Sequence, residues 1–197
     1  MPTKRLKVSY YAQNDNSLDL ADGARGATQC NATSHTMLLN FLLPTFAANS
    51  KKNGFGEPED YFKSKLQKYT DSRGDHTAFS TCLFKEFDIV SEWRTDLDHD
   101  DVLNSINAGV PIVLGMEYKT AGHIVLATGY DNSFLYINDP YGVRKGGTDF
   151  YSIVNPGFGS MNGKDDPYSW ATLKYILFNG GGWGRIVHSV RGIKTGL

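Results

Sequence analysis

The stretch GHIVLATGYDNSFLYINDPYG, residues 122–142, carries the pattern that decides the fold. Two apolar runs, GHIVLATGY and FLYINDP, flank the short segment Asp-Asn-Ser at 131–133, which has the composition of a hairpin turn. The pattern predicts two antiparallel strands. A turn centred on Asn132 pairs residues that lie equally far from it along the chain.

This register places one histidine and one aspartate side by side. His123 lies opposite Tyr141, and Asp139 lies opposite Val125, so His123 and Asp139 are diagonal neighbours on one face, with Cβ atoms at most about 7–8 Å apart. A slip by one residue would put them on opposite faces. A carboxylate that accepts from one imidazole nitrogen leaves the other nitrogen free to act as a base. The alternative, a strand-start histidine and an unrelated Asp-Pro turn, stays open on the pattern alone.

A second informative stretch is CNATSHTMLLNFLLP, residues 30–44, whose apolar residues recur at helical spacing up to a terminating proline. Thr28 or Gln29 lies where a cap belongs, so Cys30 falls in the first turn, where free amide N–H groups favour a thiolate. The alternative is a small buried cysteine without chemistry. We interpret Cys82, which lies in an apolar stretch, as a core residue of that kind.

The rest of the chain divides into a helix-rich front half and a strand-rich back half. Helices are predicted at 61–69, 98–109 and 170–178, and strands at 6–13, 110–118 and 184–193. Residues 78–89 fit either a helix or a strand, and residues 143–167 have the composition of an irregular excursion. We expect a single α+β domain over residues 1–197, in which an N-terminal helix packs on an antiparallel sheet.

Charge and hydropathy exclude several classes of function. The chain has 197 residues and a formal net charge of -1, which provides no basic excess for a phosphate backbone. No apolar stretch is long enough to cross a bilayer, and no apolar signal-peptide core follows the basic start. We therefore expect no nucleic-acid partner, no membrane insertion and a cytoplasmic place of synthesis.

Other candidate groups are weaker. His188 is the rival base, although no carboxylate accompanies it in the sequence. His35 lies about 140° round the helix from Cys30 and is a poor partner for it. The acidic run at 96–100 imitates a calcium-binding loop but lacks its glycine and glutamate, so helix capping explains it better. No His and Cys pair has zinc spacing, and we expect neither a metal nor a cofactor.

Three blocks of the sequence together resemble one known family. They are SYYAQND at 9–15, CNATS at 30–34 with its apolar helix, and the series GVPIV, GHIVLATGYD and INDPYG. They are similar to the double-glycine (bacteriocin-leader-processing) peptidase-like domains of the papain-like cysteine peptidase superfamily. Members commonly carry Gly-Pro after the cysteine, where this chain has Asn31-Ala32. The papain-type C-G-S-C-W signature is absent, so the likeness is to a distant branch.

The resemblance implies a papain-like fold and a catalytic triad of Cys30, His123 and Asp139. It also implies an oxyanion-hole role for Gln13, whose amide would bind the developing negative oxygen together with the Cys30 backbone N–H. The implied activity is that of a cysteine endopeptidase acting on peptides.

Freestanding copies of this fold degrade peptidoglycan, so a cell-wall stem peptide, as for a phage endolysin released through a separate pore to the periplasm or cell wall, is the first substrate expected by analogy. The alternatives are leader-peptide cleavage after Gly-Gly and a non-catalytic peptide-binding module on the same fold. A monomer is expected.

Overall fold

The computed structural model describes residues 3–15, 26, 28–117, 122–142, 163–179 and 181–197. The helices of this part are α1 Cys30–Leu42, α2 Phe46–Lys52, α3 Pro58–Leu66, α4 His76–Phe87, α5 His99–Asn107 and α6 Trp170–Ile176. The strands are β1 Lys4–Arg5, β2 Ile89–Leu97, β3 Ile112–Glu117, β4 Gly122–Tyr130, β5 Phe134–Asn138, β6 Asp166–Ser169, β7 Gly182–Val190 and β8 Ile193–Lys194.

The strands form one antiparallel sheet in the order β2-β7-β3-β4-β5-β6, with β1 paired to β4 and β8 paired to β7. The late strand β7 is inserted between β2 and β3, so the end of the chain returns to the middle of the sheet. Helices from the front half pack on this sheet, which confirms the predicted α+β class.

The β4–β5 hairpin has the predicted three-residue turn and, near the candidate site, the predicted register. Its pairs are Leu126 with Asn138, Ala127 with Ile137, Gly129 with Tyr136 and Tyr130 with Leu135. The first two pairs lie equally far from Asn132, whereas the two pairs next to the turn are shifted by one residue through an irregularity between Ala127 and Gly129. Because the shift occurs on the turn side, it leaves His123 and Asp139 as diagonal neighbours.

Helix α1 begins at Cys30, as predicted, and most of its length is buried. Met37 and Leu38 are fully buried, and each contributes about 1.5–3 kcal/mol relative to exposure. Ser34 Oγ donates a hydrogen bond to the carbonyl oxygen of Ile124 at 3.1 Å, which ties the first half of the helix to β4. This packing brings Cys30 against the strand that carries His123.

The strand predicted at 6–13 is wrong, because β1 covers only Lys4–Arg5 and none of residues 6–13 lies in a strand. The alternation itself is real, since Val8 and Tyr10 are buried and Lys7 is exposed. The segment forms no continuous ladder, so its alternation indicated which side chains are buried and not which backbones pair.

Strands β2 and β6 were also not predicted. Strand β2 carries several charged residues and, among the described residues, pairs with β7 alone, so its burial alternates irregularly and gives a weak periodic signal. Strand β6 overlaps the end of the excursion predicted at 143–167, where the prediction is wrong, and residues 143–162 lie outside the described part.

The ambiguous stretch at 78–89 is mainly helical and forms most of α4. The interpretation of the acidic run as a helix cap is confirmed, because the Asp98 carboxylate accepts from the Asp101 backbone N–H and the Asp101 carboxylate accepts from the Asp98 N–H. Among the described residues, no helix combines the length and the hydropathy that a membrane span requires.

Candidate active site

The site begins with a contact between the start of α1 and the start of β4. The Cys30 thiol and the His123 ring are hydrogen-bonded to each other, and the backbone N–H of Ile124 also reaches the sulfur. Cys30 is half-buried and His123 is buried. The carbonyl oxygen of the same Ile124 accepts from Ser34 Oγ, so this residue contacts both the sulfur and the helix that carries it.

The His123 ring is held from its other side by Asp139, which is fully buried. The distance from His123 Nε2 to Asp139 Oδ1 is 2.7 Å. Because Nε2 faces the carboxylate, Nδ1 is the nitrogen that faces Cys30. The Asp139 carboxylate is itself oriented, since Oδ1 accepts the Tyr141 backbone N–H at 2.9 Å and Oδ2 accepts the Tyr168 hydroxyl at 2.9 Å.

The backbone of Asp139 is fixed as firmly as its side chain. Its carbonyl oxygen accepts from the Tyr10 hydroxyl at 2.8 Å, and its N–H donates to the Gly163 carbonyl oxygen at 2.8 Å. A Cβ atom at Gly163 would overlap that Asp139 carbonyl oxygen. The roles of Tyr10, Tyr168 and Gly163 were not predicted from the sequence. Of these three, only Tyr10 could have been identified as a buried residue, because it belongs to the alternating apolar residues of the segment 6–13.

The electrostatics of the pair favour charge separation. Burial by itself would raise the pKa of Cys30, but the hydrogen bond and charge of His123, together with the Ile124 N–H, lower it below its ordinary value. Burial by itself would lower the pKa of His123, but the charge and hydrogen bond of Asp139 and the contact with Cys30 raise it. Relative to the isolated side chains, both shifts favour a thiolate facing an imidazolium.

Gln13 lies in a short 3-10 turn beside these elements and is 1% exposed. Its backbone N–H donates to the Pro140 carbonyl oxygen at 2.8 Å, next to Asp139. Its side-chain Nε2 donates to the Gly26 carbonyl oxygen at 2.8 Å, and the same oxygen accepts the backbone N–H of Gln29 at 2.9 Å. Gln13 is thus tied both to the segment that holds Asp139 and to the turn that precedes Cys30.

The remaining candidates lie elsewhere. His188 Nε2 is 3.3 Å from Glu92 Oε1 and is partly exposed on β7, so it does have a carboxylate partner, contrary to the prediction. Cys82 is fully buried, and burial raises its pKa to about 12, as fits a core thiol. In the described ranges, no group of three or more His, Cys, Asp and Glu side chains is arranged to hold a metal ion.

Comparison with known proteins identifies the family and the fold. The model of the Peptidase_C39-like family matches residues 5–155. A crystal structure of a proposed C39-like peptidase from Bacillus anthracis superposes with a TM-score of 0.61 at 14% identity, and the match covers 96% of this chain and 98% of that chain. This likeness confirms the α+β papain-like fold. No curated protein matches the chain. With a family model that covers most of its length, the chain belongs to the Peptidase_C39-like family of cysteine peptidases.

Proposed function

We propose that this cysteine peptidase uses Cys30 as nucleophile, His123 as general base and acid, and Asp139 as the group that orients His123. The observation that carries the proposal is the continuous contact from the Cys30 sulfur through the His123 ring to the buried Asp139 carboxylate. The opposite pKa shifts of Cys30 and His123 support it, because they are the shifts that activate a thiol nucleophile.

The reaction follows from these positions. The Cys30 thiolate attacks the carbonyl carbon of the scissile peptide bond and forms a tetrahedral intermediate. His123 gives its Nδ1 proton to the leaving amine nitrogen as the C–N bond breaks, which leaves a thioester on Cys30. Neutral His123 then takes a proton from water, the hydroxide attacks the thioester, and the carboxylic acid product departs as the Cys30 sulfur is released. Asp139 keeps Nδ1 directed at the sulfur throughout.

Gln13 is our candidate for the oxyanion hole, together with the backbone N–H of Cys30. Its support is position, since its amide nitrogen contacts the Gly26 carbonyl in the turn before α1. Each donor of this kind is typically worth about 10²–10³-fold in kcat.

The substrate we propose first is the stem peptide of peptidoglycan, by analogy with freestanding members of the fold. The competing substrate is a leader peptide cleaved after Gly-Gly. The protein is incubated with purified peptidoglycan and, separately, with Gly-Gly peptides, and new amino groups are counted. We expect release from peptidoglycan by the wild type and by Cys82→Ala, but not by Cys30→Ala. If the protein cleaves the Gly-Gly peptides and not peptidoglycan, the leader peptide replaces the stem peptide as the proposed substrate, and the proposed catalytic residues stay the same.

A non-catalytic peptide-binding module is tested by alkylation with iodoacetamide near neutral pH. At that pH a thiol with a pKa of about 12 is ionised to only about one part in 10⁵, so Cys82 should react very slowly. An activated Cys30 should be modified at least about 10³-fold faster. Equally slow modification of the two cysteines would remove the support for catalysis.

A further inference from the structure

Arg185 is a buried cation on the interior strand β7 of the sheet. It lies on β7, opposite Trp93 of β2 and Val113 of β3, and is 1% exposed. A buried guanidinium usually pairs with a carboxylate. Here the hydrogen-bond partners in the described part of the chain are neutral groups on α1, α4 and β2: His35 Nε2 at 2.7 Å, Ser80 Oγ at 2.7 Å, Ser91 Oγ at 3.1 Å and the His76 carbonyl oxygen at 3.2 Å. The ordinary pKa of an arginine guanidinium lies so far above 7 that Arg185 stays charged at neutral pH, although burial lowers its pKa.

The contact with His35 fixes the state of that imidazole. The Arg185 Nε–H can only donate, so His35 Nε2 must accept, and the proton of the neutral ring lies on Nδ1. Nδ1 is 2.8 Å from the carbonyl oxygen of Asn31, which can only accept. The ring is fully buried between Phe62 and Phe79, at centroid distances of 6.0 Å and 4.8 Å. Burial, the Arg185 charge and, more weakly, His76 all disfavour a second proton on it.

The contacts that run from Arg185 through His35 end at Asn31, the residue next to Cys30. Asn31 follows Cys30 in the first turn of α1, and its side chain also donates to the Arg73 carbonyl oxygen at 2.7 Å. The helix has no side-chain cap at Gln29, so its first turn depends on such tertiary contacts. On the β4 side, Ser34 holds the same helix. The contacts of Asn31 with Arg73 and of Ser34 with Ile124 therefore attach the start of α1 to two different parts of the chain.

We propose that His35 is a positioning residue, which transmits the anchorage of Arg185 to the first turn of α1 and so sets the Cys30 sulfur against the His123 ring. The inference rests on the proposed function. Arg185 donates to His35, Ser80, Ser91 and the His76 carbonyl in the described part of the chain, so its action on the sulfur is indirect. It acts through geometry, and a misplacement of about 1 Å at a reacting atom can cost about 10²-fold in rate.

The test compares two variants that disturb the same guanidinium. In His35→Gln the amide oxygen can accept from Arg185 near the former Nε2 position, but the side-chain donor to the Asn31 carbonyl oxygen is lost, and only the helical backbone N–H of residue 35 still donates to it. In the control, Ser91→Ala, Arg185 loses an acceptor that has no link to α1. The readouts are the pH profile of Cys30 alkylation by iodoacetamide and the separate kcat and KM values for the peptide substrate identified above.

We expect His35→Gln to raise the midpoint of Cys30 alkylation by about one pH unit, which slows the reaction about 10-fold below that midpoint. It should lower kcat about 10-fold with KM unchanged, while Ser91→Ala stays within about 2-fold of wild type. If His35 only stabilised the core, His35→Gln would lower the melting temperature without changing the pH midpoint of Cys30 alkylation. A wild-type midpoint in folded His35→Gln therefore overturns the inference.

A measurement on the wild type covers the case in which His35→Gln does not fold. In ¹⁵N NMR spectra of the imidazoles, His35 should carry its proton on Nδ1 and should stay neutral as the pH falls through the ordinary pKa of histidine. A proton on Nε2, or titration near the ordinary histidine value, overturns the inference without reference to any activity. Conversely, an ordinary midpoint for Cys30 in the wild type removes the proposed function, and that result is independent of the NMR result.

Discussion

Asp139→Asn separates the charge of the triad from its shape. The Asn side chain can keep an oxygen toward His123 Nε2 and the Tyr141 N–H, which both donate to Asp139 Oδ1 in the wild type. Its amide nitrogen then faces the Tyr168 hydroxyl, which can turn from donor to acceptor. The substitution therefore removes one negative charge and leaves the packing in place.

The expected magnitude follows from the distance. With Nε2 and Oδ1 2.7 Å apart, the centres of the two charges lie roughly 4 Å apart, and at an effective dielectric constant of about 20 their attraction is about 4 kcal/mol. Loss of that attraction lowers the population of the thiolate–imidazolium pair about 10³-fold. We expect kcat/KM to fall by about that factor at neutral pH.

The assay is the rate of peptide cleavage from pH 5 to pH 9, with the melting temperature measured on the same samples. Tyr168→Phe is the matched control, because it removes one hydrogen bond to the carboxylate and keeps the charge. It should cost about 1.5–3 kcal/mol of stability and less than about 10-fold in rate. If Asp139→Asn folds and cleaves within about 10-fold of wild type, the charge of Asp139 has no role in activating Cys30.

Three further predictions concern neighbouring positions. Gln13→Ala should lower kcat about 10²–10³-fold with KM little changed, and an unchanged kcat would remove it from the oxyanion hole. Gly163→Ala should lower both the melting temperature and kcat, because the added Cβ overlaps the Asp139 carbonyl oxygen; wild-type values would show that the loop yields. Burial raises the pKa of Glu59 to about 8 from its ordinary value of 4.5. Since the folded state then binds more protons than the unfolded state, the unfolding free energy should fall by about 4 kcal/mol as pH rises from 4 to 8. Glu59→Gln should abolish that contribution when the unfolding free energy is measured by urea titration at each pH. An unchanged dependence of the unfolding free energy on pH would contradict the prediction.

Much of the site was predictable because its parts are encoded locally. The short turn at 131–133 identifies the β4–β5 hairpin. Beyond the irregularity between Ala127 and Gly129, residues equally far from Asn132 are paired, and strand alternation then places His123 and Asp139 on one face. The start of α1 was predicted correctly because the helical spacing of apolar residues after Cys30 is also a local property of the sequence. The family resemblance supplied what periodicity could not, the expectation that the sulfur and the hairpin meet.

The limits of the prediction have an equally physical cause. Strand β2 and the extended segment after β1 were misjudged because alternation reports which side chains are buried and not which backbones pair.

The sequence by itself determined the helix that carries Cys30, the hairpin that aligns His123 with Asp139, and the absence of a basic surplus. Only the tertiary structure decided what supports them. Tyr168 meets Asp139 from 29 residues away, and Arg185 meets His35 from 150 residues away. Contacts at such separations depend on how the sheet and helices pack, and no local periodicity records that.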